Sequence, residues 1–158
     1  AEPSNNERRV LTLLLEANSN LTRPEYDKMS IYATSLEAWI ERDREILLVV
    51  ASFYRDWALW MKSSPPPEIP REQHLRIREY KALAEKGLDI VNQVPRSERG
   101  HEAYFIISQC RFCMWEYEKA MNAVRSAIKC SPSDGVRGEY IQFSNAIEVE
   151  QHKHPKNG

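Results

Sequence analysis

Cys110 and Cys113 form a C-x-x-C, a spacing that elsewhere supplies half of a zinc site or a dithiol redox pair. Zinc needs four ligands converging tetrahedrally. The other candidates are Cys130, His74, His101 and the tail histidines His152 and His154, with no second C-x-x-C. A redox motif sits at a helix N-terminus, where the dipole lowers a thiol pKa, whereas these cysteines fall in the middle of an amphipathic segment. The spacing therefore predicts buried structural thiols, and a metal- or thiol-dependent function through Cys110 and Cys113 is the chemical alternative. Glu41 and Glu45 lie four apart, but nothing singles them out as an acid/base pair. The chain has no Gly-rich phosphate loop, no G-x-S-x-G and no H-E-x-x-H. The reading is of a non-enzyme, with no cofactor, no metal and no catalytic residue.

Composition points the same way. The 158 residues fit one domain with a substantial core, 42% hydrophobic and 28% charged. Only five glycines argue against a turn-rich sandwich or barrel. A net charge of −1 offers no global field toward nucleic acid or an anionic surface. The longest apolar run, Ile46 to Ala51, is too short to cross a bilayer. Three cysteines are too few for a disulfide scaffold, which favours a reducing compartment and a cytoplasmic location. Asn20-Leu21-Thr22 matches a glycosylation acceptor, a pattern short enough to arise by chance. A start at Ala1 is compatible with a processed exported protein or a fragment of a longer one.

The elements that would carry these residues are helical. Ser4 with Glu7 makes a capping box ahead of a first helix, with Val10, Leu13, Leu14 and Ala17 on one face. Thr22 and Glu25, around Pro24, open a second helical pattern that runs almost to Ser63. A third pair, Thr34 and Glu37, allows a break near residue 34, and one continuous helix fits as well. Ile46, Leu47, Val50, Phe53, Tyr54, Trp57 and Met61 give the three-four alternation of a helix buried along one face. Trp39, Trp57 and Trp60 are read as core anchors.

Ser63 to Pro70 cannot be helical, and is either an extended connection or a boundary between helical subdomains. A polyproline ligand for another protein is the sharper reading of the same residues. Helix resumes at Pro70 or Arg71 and runs toward Val94, with basic and acidic residues interleaved as on a solvated face. Two further helices are expected from about Glu102 to Trp115 and Tyr117 to Lys129, and a last from about Val136 to Gln151, before a fraying tail. The organisation is thus 1–62 helical, 63–70 Pro-rich, 71–152 helical and 153–158 tail, within one compact domain.

From His101 to Pro132 the chain resembles one tetratricopeptide repeat (TPR), an antiparallel helix pair. Tyr104 stands at the motif's early aromatic position, Ile107 at its leucine, and Ser108 and Cys110 at small positions of the first helix. Tyr117 opens the second helix, Ala120 and Ala127 fill its small sites, and Pro132 closes the unit. Ser108 replaces the usual glycine or alanine, and Arg111 stands where an aromatic is typical. Small residues at this spacing let neighbouring helix axes approach closely.

The resemblance implies an all-α fold of six or seven antiparallel helices, as a right-handed solenoid or bundle. It implies a protein–protein interaction module, whether adaptor, assembly factor or chaperone-like, that holds a peptide or helix in a groove. The groove-lining face of the first helix would carry Glu102, Phe105, Gln109 and Phe112. The lysine and asparagine that grip a C-terminal carboxylate are absent, with Phe105 and Gln109 in the matching places. The partner expected is another protein, with no nucleic acid and no membrane span. A self-associating scaffold domain of a larger protein, hence a homo-oligomer, is the alternative.

Overall fold

The computed structural model describes residues 4–38 and 43–154. Trp39 and Glu41, singled out above, lie outside the described residues, as does the tail beyond His154. Among the described residues the chain is all-α, with seven α-helices: α1 (Asn5–Asn18), α2 (Tyr26–Ala38), α3 (Arg44–Ser63), α4 (Pro70–Val91), α5 (His101–Cys113), α6 (Tyr117–Lys129) and α7 (Asp134–Lys153).

Local signals set most of the ends. The Ser4 hydroxyl accepts from the Glu7 amide at 3.2 Å, closing the cap of α1. The second capping box fails: α2 starts only at Tyr26, and the Glu25 amide donates instead to the Asn18 side-chain oxygen at 2.7 Å. Thr34 is no cap either, since its hydroxyl donates to the Ser30 carbonyl within α2. The chain does break, but further on, at Asp43, whose backbone is extended. Asp43 caps α3 by accepting from the Glu45 amide at 2.9 Å. Glu37 instead ties three helices together, accepting from the Tyr54 hydroxyl at 3.0 Å and pairing with Lys86 at 3.4 Å.

The face of α1 that packs inward is not the expected one. Leu15 and Asn18 are buried and Leu11 packs beside them, while Val10, Leu13 and Leu14 are exposed. The helix carries two apolar stripes, roughly 130° apart around its axis, and the packing covers only the Leu11–Leu15 one.

Helix α3 forms the centre. Its Leu47, Val50, Ala51, Phe53 and Ala58 are buried. Trp57 is half-buried in an aromatic cluster, stacked on Tyr26 with centroids 5.9 Å apart. Trp60 touches Tyr26 but is largely exposed, at the rim of the core instead of within it. The Pro-rich stretch is the turn between α3 and α4. The Pro67 carbonyl accepts from Gln73 Nε2 at 2.6 Å, and Arg76 donates to the Ser64 and Pro65 carbonyls. Proline-rich backbone has carbonyls to spare, and two side chains of α4 hold them.

Helices α3 and α4 form one antiparallel hairpin and α5 and α6 a second; α5 lies against both α3 and α4, and α7 lies on α6. The α1–α2 pair packs mainly on α3, with the Glu37–Lys86 pair reaching α4. Close approach depends on small residues. A Cβ on Gly87 of α4 would come within 3.2 Å of the Ala51 carbonyl oxygen and 3.2 Å of Cys110 Sγ. In the second hairpin Ser108, Ala120 and Ala127 are fully buried, and the Ser108 hydroxyl donates to the Ala120 carbonyl at 2.7 Å.

The turn between α5 and α6 places Trp115 at φ 64°, the left-handed region that a bulky residue rarely adopts. Three contacts hold it. Trp115 Nε1 donates to the Tyr80 hydroxyl, Lys81 Nζ sits 4.1 Å over the ring, and His154 stacks on it at 5.4 Å. The last contact explains why α7 continues through Lys153 and does not fray after Gln151. Among the described residues, no helix is long and apolar enough to cross a membrane.

Candidate interaction groove

One face of α3 is left open. Glu45, Leu48, Val49, Ser52, Arg55 and Asp56, at three- and four-residue spacing, form the floor of a trough of about 480 Å³. Thr12, Leu15, Glu16 and Ser19 of α1 make one wall, and Glu102 at the start of α5 closes the other side. A second depression of about 400 Å³ shares Thr12, Glu16 and Glu45 with it and adds Arg8 and Arg9.

The polar chemistry of the trough centres on Arg55 and Asp56. Arg55 Nε donates to Asp56 Oδ1 at 3.0 Å, and a second guanidinium nitrogen lies 2.9 Å from the same oxygen. The other carboxylate oxygen of Asp56 accepts from the Ser19 hydroxyl at 2.7 Å, tying the wall to the floor. Both charged side chains are mostly buried. Because they neutralise one another, the trough's outward charge comes from Glu16, Glu45 and Glu102, all exposed. Leu48 and Val49 add an apolar strip between them.

The residues expected to line a groove divide. Glu102 is on the rim of the trough. Phe105 and Phe112 share a face of α5, as their spacing requires, but that face meets α7. Phe105 is half-buried with its ring 4.4 Å from Tyr140 and 5.4 Å from Phe143. Phe112 is buried, 5.2 Å from Phe143 and 5.9 Å from Tyr117, with Lys62 Nζ 4.8 Å above the ring. Gln109 is half-buried between them, and its Oε1 has no hydrogen-bond partner among the described residues. These three residues therefore form the seam between α5 and α7, next to the trough but not on its floor.

Sequence reasoning missed the floor itself. Its signal was present in the alternation of Leu48, Val49, Ser52 and Asp56, but that stripe is half polar and lies beside the more apolar stripe that forms the core.

The cysteines behave as packing. Cys110 and Cys113 are fully buried. Burial pushes the Cys110 thiol up to about 12 and raises Cys113 as well, which disfavours the thiolate needed for redox or metal work. Cys130 is exposed. Among the described residues no three His, Cys, Asp or Glu side chains gather as a metal site would require. The Tyr140 hydroxyl lies 2.5 Å from His101 Nδ1, and its pKa is raised by burial and then by Glu102 and Glu139.

No family model, curated protein or solved structure matches the chain.

Proposed function

We propose that the chain is a TPR-like, non-catalytic interaction module that holds a cationic segment of a partner protein in the α1–α3–α5 trough. The observation that carries this is the trough's composition. It combines an apolar strip, an internally neutralised Arg55–Asp56 pair and three exposed glutamates. An extended or helical peptide bearing Lys or Arg beside an apolar residue would meet complementary charge on both sides of that strip. An adaptor or assembly factor fits this geometry. The trough is lined from α1, α3 and α5, the first helices of successive pairs, as the resemblance to the TPR family implies for a groove.

The test is capture of a partner by the purified chain, repeated with Glu45→Lys and Glu102→Lys. Both positions are exposed, so both variants should fold as the wild type does. Loss of the partner at least about tenfold in each supports the reading. A partner retained equally by both variants overturns it.

A further inference from the structure

Helix α1 has a second apolar face that the fold leaves bare. Val10 is 54% exposed, Leu13 54% and Leu14 38%, Ala17 is exposed beside them, and Leu21 continues the line at 50%. Val10, Leu13, Leu14 and Ala17 fall on one stripe of the helix, separate from the Leu11–Leu15 stripe that packs inward. A helix with two distinct apolar stripes can touch a second layer, and the monomer covers one stripe.

The charges flanking this stripe indicate what the second layer is. Arg9 and Glu16 stand seven apart on the same flank, are both exposed, and make no ion pair among the described residues. Two turns separate them, so they face the same way without meeting. An antiparallel second copy, related by a two-fold axis near Leu13, brings Arg9 level with Glu16 of the second copy, and the reverse. An axis near Leu13 leaves both Arg9–Glu16 and Val10–Ala17 within about one residue's rise of level, setting large against small, and brings Leu13 and Leu14 together. A parallel pairing in register would instead bring like charges level.

We infer that this chain forms an antiparallel homodimer through the outer face of α1, held by Val10, Leu13 and Leu14 and registered by reciprocal Arg9–Glu16 pairs. Such an interface is isologous, as two-fold dimers require. It lies at the small end of interface sizes, so the dimer is a weak, concentration-dependent one. It shares Glu16 with the peptide-binding reading and otherwise uses a different stripe of α1, so association is measured on the chain alone.

Sedimentation equilibrium on the full chain tests it, over roughly 1–500 µM. The expected result is a mass that rises from 18.5 kDa toward twice that value. Leu13→Glu should remain monomeric with unchanged helicity, because Leu13 supports nothing inside the fold. Arg9→Glu and Glu16→Arg should each weaken association about tenfold, and the two together should restore it to within about threefold of the wild type. A wild type that stays monomeric overturns the inference, as does a Leu13→Glu variant that associates normally. A double variant no better than the single ones overturns the antiparallel register.

Discussion

The Ser108 hydroxyl and the Ala120 carbonyl meet at 2.7 Å in the centre of the α5–α6 hairpin, both residues fully buried. A helical carbonyl has a second lone pair, and at this close crossing a small hydroxyl uses it. Ser108→Ala removes the bond without adding volume and should cost about 1 kcal/mol. Ser108→Leu adds a branched side chain where the axes are nearest and should cost about 1–3 kcal/mol. Urea denaturation of the two variants should give that order, and a Leu variant as stable as the Ala variant would contradict the close approach.

Glycines in two helices should respond in opposite directions to the same substitution. Gly87→Ala places a methyl 3.2 Å from a backbone oxygen and 3.2 Å from Cys110 Sγ, contacts that only a shift of α3 or α5 relieves. The helix-propensity gain of about 1 kcal/mol is outweighed, and net destabilisation of about 1 kcal/mol is expected. Gly138 of α7 has nothing within 4 Å of its added Cβ, so Gly138→Ala should stabilise by about 0.5–1 kcal/mol. Thermal midpoints of the pair measure the contrast.

Alkaline stability should depend on Tyr117. Its ring is fully buried, its hydroxyl has no hydrogen-bond partner among the described residues, and burial followed by the Glu150 charge pushes its pKa up to about 12. An acid whose folded pKa exceeds the unfolded value of about 10 contributes full stability below pH 10 and loses it as pH rises toward 12. Tyr117→Phe removes this titration and strands no partner. The variant should equal or exceed the wild type by up to about 1 kcal/mol at pH 7, with a larger advantage at pH 11. Tyr80 and Tyr140, also raised by burial, preserve part of the alkaline slope.

The acid limb should involve Glu116. Burial opposes its charge, but Arg111 at 2.9 Å and Lys119 at 3.2 Å prevail and hold its carboxyl below the ordinary range. A depressed folded pKa contributes stability above the unfolded value of about 4.3, which disappears as pH falls through the folded one. Glu116→Gln should therefore be less stable than the wild type at pH 7, by about 1 kcal/mol or less for so accessible a pair. The two should converge near pH 3 in matched urea titrations.

Where one physical signal dominated, the sequence was legible. Helix α6 runs from Tyr117 to Lys129 as the Ala120–Ala127 spacing and Pro132 indicate, and the Ser4 cap and the Pro70 start were equally local. Where two signals competed, spacing alone did not decide. Helix α1 carries two apolar stripes, and only the position of α3 selects Leu15 over Leu14. Thr34 with Glu37 looked like a helix start, but the hydroxyl of Thr34 is satisfied by the preceding turn of α2, and Asp43, not singled out in the sequence, caps α3. The cover over Phe105 and Phe112 comes from Tyr140 and Phe143, some 35 residues away, and no local pattern announces a contact of that range. The trough floor was missed because its stripe is half polar and lies beside the more apolar stripe that forms the core.

The trough's floor and wall differ in how firmly they are anchored. Helix α3 buries eight side chains, whereas α1 buries two, Leu15 and Asn18. Elements with few buried contacts open at lower free energy than the core and do so as units. The α1–α2 hairpin is thus the part that unfastens first, and amides along α1 should exchange with deuterium well before those of α3. Ser19 to Asp56 is the latch. On the proposed reading, a segment too bulky for the resting trough would gain entry when that latch releases, and the same event would present the outer stripe of α1 at a new angle. On the two readings proposed above, occupancy of the trough and pairing of two copies would be coupled through this one helix, which carries Glu16 for both.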